Sequence, residues 1–261
     1  MLSGVKPSPG TFPNRKPYTL RRAFRERRDL IACTSFLFDR TLPVSFRDRV
    51  RIVKQLYGAS FTIDSPHRQE EMLRFIYTIL RLPPGTKGVI VEAGAYKGSS
   101  TAKFSLAAAL AGRELVVFDS FQGMPANDEA HNKNIFGRPE KFRRGSYCGT
   151  LEEVKANVAR FGRIEACRFV PGWFDETLPR FSEPVAAIYM DVDLASSTRT
   201  CLKYLYPLLE PSGALFSQDG HLPLVIDVFA DTDFWLHEVG SAKPSIAGLG
   251  QKKLIWMTKA G

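Results

Sequence analysis

The chain has 261 residues, 44% hydrophobic and 24% charged, which suits one substantial globular domain with an appended arm and excludes a disordered chain. No apolar run approaches the roughly eighteen residues of a membrane span, and the start "MLSGVKPSPGTFPNRKP" lacks the apolar segment of an export signal. Four cysteines, Cys33, Cys148, Cys167 and Cys201, form no C-x-x-C pair, so a cytoplasmic protein with reduced thiols and no zinc site is expected.

The formal charge of +9 is all N-terminal: residues 1–60 hold thirteen Lys and Arg against four Asp and Glu, and residues 61–261 hold 23 of each. Residues 1–17 are proline-rich and without periodicity, which reads as a poorly ordered leader. "LRRAFRERRDL" (20–30) concentrates the basic charge. It reads either as a solvated basic helix or as a contact for an acidic partner or anionic surface, and no nucleic-acid motif accompanies it. Residues 18–57 predict two helical pieces broken near Pro43, the second placing Phe46, Val50, Val53, Leu56 and Tyr57 on one side. Residues 1–64 form the expected arm, and because it has no second layer of its own to cover that face, a homodimer is expected.

A helix over 65–82, opened by Ser65 and Pro66 and striped with Met72, Phe75, Ile76 and Ile79, begins the main domain of 65–261. From residue 88 short β runs alternate with helices: "GVIVEAG", "ELVVFDSF", "EACRFVPG", "PVAAIYMDVD", "GALFSQDG" and "KKLIWMTK" are the β runs. Continuous apolar strands between helices predict an α/β fold with a mostly parallel sheet covered on both faces. Residues 120–149 carry no period, and an irregular stretch of that length is a candidate lid.

The first strand-to-helix turn, "VIVEAGAYKGSST", brings Glu92, Ala93, Gly94, Tyr96, Gly98, Ser99 and Ser100 to the carboxyl edge of the sheet, where open α/β sheets bind ligands. The next strand ends in Asp119 and Ser120. An acid at that distance from a glycine turn suits ribose hydroxyls, although a turn or cap role is also open to Asp119. G-x-G-x-x-G is absent and Glu92 sits where a pyrophosphate would want neutral amides. This favours S-adenosylmethionine, with its ammonium and sulfonium, over a nicotinamide dinucleotide.

"YMDVDLASST" and "FSQDGH" place Asp191, Asp193, Gln218 and Asp219 at the ends of two later strands. Oxygen ligands converging from separate loops suit a hard divalent cation such as magnesium, which orients and acidifies a hydroxyl. Asp193 reads as a ligand or as the cap of the following helix, and Asp191 and His221 are the candidate catalytic residues, orienting or deprotonating the acceptor. Lys133, Arg138, Lys141, Arg143 and Arg144 in the lid suggest an anionic acceptor, and Phe121, Met124, Phe136, Phe142, Tyr147 and Trp173 suggest an apolar wall.

In order along the chain, "VEAGAYKGSST", "DSFQGMP", "VPGWFDETLP", "MDVDLASST" and "CLKYLYPLLEPSGALFSQD" resemble the macrocin O-methyltransferase (TylF/MycF-like) family. The resemblance implies a Rossmann-like methyltransferase fold with a seven-stranded sheet, S-adenosylmethionine as donor, magnesium, and a hydroxyl of a sugar or related secondary metabolite as acceptor. It carries donor binding onto Glu92, Gly94, Asp119, Gly172, Trp173 and Phe174, and metal binding onto Asp191 and Asp219. One departure stands out: Gln218 occupies a position where the family pairs two acids. A non-catalytic scaffold member and a nicotinamide-dependent oxidoreductase are the rival readings.

Overall fold

A computed structural model describes residues 26–260; the leader and the first part of the basic stretch lie outside them. Three helices come first: α1 (Arg27–Phe38), α2 (Phe46–Thr62) and α3 (Gln69–Arg81). The break before α2 contains Pro43, and Ser45 caps that helix by accepting from Asp48 N at 3.1 Å. The buried stripe of α2 is Arg49, Ile52, Leu56, Ala59 and Ser60, so the predicted face is rotated: Val50, Val53 and Tyr57 are half-buried at its flank and Phe46 is 53% exposed. Helix α3 starts four residues later than its sequence suggests, because Glu71 turns back to accept from Arg68 N at 3.0 Å. Ser65, Pro66 and His67 are left outside the helix.

Six strands form one sheet: β1 (Val89–Ala93), β2 (Leu115–Asp119), β3 (Cys167–Pro171), β4 (Val185–Met190), β5 (Leu209–Ser217) and β6 (Ile255–Thr258). Their order is β3-β2-β1-β4-β5-β6, with the first five parallel and β6 antiparallel to β5. The expected seventh strand is absent among the described residues. Pro244, Gly248 and Gly250 interrupt the segment before β6, which pairs only through an Ala247–Trp256 bridge.

The connecting helices are α4 (Ser99–Leu110), α5 (Leu151–Phe161), the single turn α6 (Phe174–Thr177), α7 (Ala195–Leu205), α8 (Pro223–Ala230) and α9 (Thr232–Phe234), which runs on into a π turn over Trp235–Val239. Alternate strand residues face opposite layers. Ile90, Tyr189 and Phe216 pack with Phe36, Ile52, Leu56, Phe75 and Phe104, so α1 and α2 share one core with α3, α4 and the sheet. Val91, Ile188 and Leu215 pack with Leu202, Phe229 and Trp235 on the other side. No described helix is long and apolar enough to cross a membrane.

The first layer is centred on Phe75, whose ring lies 4.8 Å from Phe104, 5.3 Å from Tyr189 and 5.4 Å from Phe216. Removing it leaves a cavity that four elements line; Phe75→Ala is expected to cost about 3–5 kcal/mol in denaturant unfolding. Lys103 of α4 is fully buried in the same layer, and its Nζ has no hydrogen-bond partner. Burial pushes its pKa down to about 7, against the opposing charges of Asp29 and Glu71. Lys103 is therefore more protonated in the unfolded chain than in the folded one between about 7 and 10.5, and its contribution to stability rises with pH across that window. Lys103→Met is expected to raise Tm by roughly 3 °C at pH 7 and to abolish that pH slope.

Candidate active site

The chain order of the strands reverses between β1 and β4, and a cleft opens there beyond their carboxyl ends. It is open to solvent on one side and is lined by residues from both sides of that switch point. One half is built from the turns after β1, β2 and β3. Gly94 has φ +88°, and a Cβ on it would lie 2.1 Å from the Asp191 carbonyl oxygen, so only glycine lets the two turns meet. Gly98, at φ +78°, starts α4 and turns its back to Val154, while Tyr96, Ser99 and Ser100 line the cleft.

Asp119 lines this half. Its Oδ2 accepts from Ala95 N at 2.7 Å and Tyr96 N at 3.3 Å, and its Oδ1 accepts from Phe121 N at 2.7 Å. It therefore ties the two turns together while still lining the cleft beside Ser120, Gly172, Trp173 and Phe174. Ala93 belongs to the core beneath and does not line the cleft. Glu92 lies at the same depth, fully buried, and neither of its oxygens closes a hydrogen bond, although the Ser100 and Thr101 hydroxyls lie beside it. Burial raises its pKa to about 8.

The other half is organised around carboxylates. Asp191, Asp193 and Asp219 bring one oxygen each within 4.8 Å of the others. Asp219 is fully buried; its Oδ2 accepts from Val192 N at 2.9 Å and Asp193 N at 3.0 Å, and its Oδ1 has no hydrogen-bond donor. Asp193 sits at φ +59° and does not cap the following helix, because Glu129 of the 120–149 loop occupies that position. Burial, then repulsion from Asp191, raises the pKa of Asp219 to about 7. Burial and the charges of Asp219 and Asp191 push Asp193 well up as well. Burial works against Asp191 too, but the His67 ring bonded to it, with Lys253 and His221 nearby, holds it below the usual carboxylate range.

His67 escaped the sequence reading. Its Nε2 lies 2.7 Å from Asp191 Oδ2 and its Nδ1 lies 3.2 Å from Ser65 Oγ, with the side chain 5% exposed. "SPH" looked like the start of a helix; as a lead into α3 it delivers His67 to the cleft. Lys253, just before β6, also lines the cleft, brought there by an antiparallel return that no local motif announces. His221 lines it too, its ring stacked on Phe136 at 6.3 Å. Gln218 is otherwise engaged: its Oε1 accepts from Tyr189 OH at 3.0 Å and its Nε2 donates to Glu71 at 2.9 Å. An acid at 218 would face the Glu71 carboxylate.

Met124, Phe142, Tyr147 and Trp173 supply the apolar wall, whereas Phe121 is in the core. The five basic side chains of the lid are all exposed, and none lines the cleft, so they do not support an anionic acceptor. Three carboxylates, Asp219 buried and Asp191 and Asp193 half-buried, with one Asp219 oxygen that meets no hydrogen-bond donor, fit a hard divalent cation. Without a cation, the raised pKa of Asp219 means that ionising it costs stability as pH rises from about 4 toward 7. Asp219→Asn, which keeps an acceptor for both amides, is expected to raise the Tm of the EDTA-treated protein at pH 7 and to flatten its decline over that window in thermal scans.

The macrocin-O-methyltransferase (TylF) family matches residues 57–230. The 8-demethyl-8-(2,3-dimethoxy-alpha-L-rhamnosyl)-tetracenomycin-C 4'-O-methyltransferase of Streptomyces olivaceus is 31% identical over 185 residues, 62% of this chain and 70% of that protein. The mycinamicin III 3''-O-methyltransferase of Micromonospora griseorubida is 32% identical over 149 residues, 54% of this chain and 59% of that one. Among solved structures, the O-methyltransferase NovP superposes with a TM-score of 0.64 at 20% identity, over 92% of this chain and 99% of that one. The calicheamicin methyltransferase CalS11 does so with a TM-score of 0.58 at 17% identity, over 99% of both chains. The structural likenesses establish the fold, and the sequence match spans more than half of the protein. The chain belongs to the macrocin-O-methyltransferase (TylF) family and is an S-adenosylmethionine-dependent O-methyltransferase.

Proposed function

We propose that the protein methylates a hydroxyl of a sugar or related secondary metabolite, the acceptor class in the names of its tetracenomycin and mycinamicin relatives. The observation that carries this reading is a single cleft at the sheet's switch point. A glycine turn and Asp119 line one half, Asp191 and Asp193 line the other, and Asp219 is buried beside them. In this reading residues 65–261 are the methyltransferase domain and 1–64 its arm, acting in the cytoplasm. Ile31 and Phe38 of α1 and Phe46 of α2, 65%, 69% and 53% exposed, support a homodimer through the arm. The basic stretch at 20–30 would meet an acidic partner or anionic surface.

S-adenosylmethionine, when bound, supplies an electrophilic methyl group. Asp119 and Ser120 would hold its ribose, Gly172, Trp173 and Phe174 would flank its adenine, and the Gly94–Ser100 turn would face its methionine end. Glu92, buried beneath this turn and outside the cleft lining, would act on that end only by fixing the turn. Asp191, Asp193 and Asp219 would hold a divalent cation, which supplies Lewis acidity toward the acceptor hydroxyl. Gln218, committed to Tyr189 and Glu71, is left out of that set.

The cleft would hold the acceptor oxygen in line with the donor's methyl carbon, the donor supplying the methyl group and leaving as S-adenosylhomocysteine. The acceptor's proton passes to the Asp191–His67 pair, whose 2.7 Å contact fixes the carboxylate. His221 and Lys253 line the same half and add positive charge near the acids.

Isothermal titration with S-adenosylhomocysteine tests the donor site: binding in the micromolar range or tighter is expected, weakened about tenfold or more by Asp119→Ala. Preference for NAD would support the oxidoreductase reading. Donor binding without transfer of labelled methyl to a panel of glycosylated acceptors would favour the scaffold reading.

A further inference from the structure

Helix α7 follows Asp193 almost directly and begins without a cap of its own, since Leu194 stands at the cap position. Its first amides are taken by Glu129, reaching in from the 120–149 loop. Oε2 accepts from Ala195 N at 2.7 Å; Oε1 accepts from Ser196 N at 2.9 Å and from Ser196 Oγ at 2.6 Å. A carboxylate at the positive end of a helix makes short, strong bonds of this kind. His131, its side chain 1% exposed, holds Glu129 through Nε2 at 3.0 Å and packs edge-on against Phe142 of the cleft wall at 4.8 Å.

The loop has a second attachment. Ile135 N donates to the His221 carbonyl at 3.0 Å, and the Phe136 ring stacks on the His221 ring. The two attachments thus fall just after Asp193 and just after Asp219, on the segments that carry the carboxylates. Between them Asn134 Nδ2 donates to Glu140 at 2.7 Å, and Glu140 lines the cleft. The foot of the loop is held independently: Met124 N donates to Ser146 O and Gly145 N to Met124 O, both at 2.9 Å.

We propose that Glu129 is a positioning residue for methyl transfer: by capping α7 it holds the tip of the loop, residues 126–142, over the acceptor half of the cleft and fixes the Asp191–Asp193 segment. It acts through the loop and the helix start, with no contact to the reacting atoms. Only the kinetic arm of the test rests on the proposed reaction.

The first arm is hydrogen exchange on the full chain without ligand, comparing wild type with Glu129→Ala. Exchange about tenfold faster or more is expected at Ala195, Ser196 and the tip, with Met124 and Gly145 unchanged. Glu129→Gln, which keeps an acceptor oxygen and loses the charge, is expected to fall between the two. Unchanged exchange at the tip, or acceleration spread over the whole chain, overturns the proposal. In the second arm, at saturating donor, Glu129→Ala is expected to lower kcat/KM for the acceptor about tenfold while S-adenosylhomocysteine affinity stays within about twofold. An equal loss in both would show a general structural role and overturn it. A protein without methyl-transfer activity fails the proposed function alone, because the exchange arm is decided without turnover.

Discussion

Three carboxylates packed at the end of a parallel sheet are the constraint on which the rest of the structure turns. Burying them raises Asp219 and Asp193 above the ordinary range, so the surroundings must compensate. Two backbone amides bond Asp219, the His67 ring bonds Asp191, and Lys253 lies close by. Each compensating group comes from a different part of the chain: the β4 turn, the lead into α3, and the entry to β6. Assembling the fold and assembling this cluster are the same process.

The donor half is tied to the cluster through backbone. Asp191 N donates to the Ala93 carbonyl at 2.9 Å, and the Asp191 carbonyl occupies the space that a side chain at Gly94 would need. In the proposed reaction a methyl donor on the glycine turn and an acceptor at the acids would meet on adjoining walls of one cleft, which is what a direct displacement requires. The N-terminal helices take part as well. Gln218 links β5 to Glu71, Glu71 fixes the start of α3, and the residue just before that start is Arg68, following His67. A departure from the paired acids of the family thus becomes a strut for the histidine that holds Asp191.

The parts of this arrangement that are local in sequence were legible there. Apolar runs with acids at their ends gave the strands and their carboxyl edge, and the glycine turn and Asp119 do line the cleft at that edge. What was not legible depends on contacts far apart in the chain. His67 is 124 positions from Asp191, and its tripeptide has the composition of a helix start. Asp193 looked like a cap because capping is judged locally, whereas the actual cap, Glu129, comes from 66 positions away. Lid arginines and lysines were read as cleft charge because sequence does not say which way an irregular loop faces. The seventh strand failed for a visible reason, the Pro244, Gly248 and Gly250 interruptions.

In the proposed function Asp191, Asp193 and Asp219 form one cation site serving the acceptor. Isothermal titration of manganese into the wild type and into Asp191→Asn, which keeps an oxygen for His67, addresses it without turnover. One ion is expected to bind per chain in the wild type, and that binding to be lost in the variant. Wild-type protein that takes up no ion, or a variant that binds as well as wild type, would contradict it.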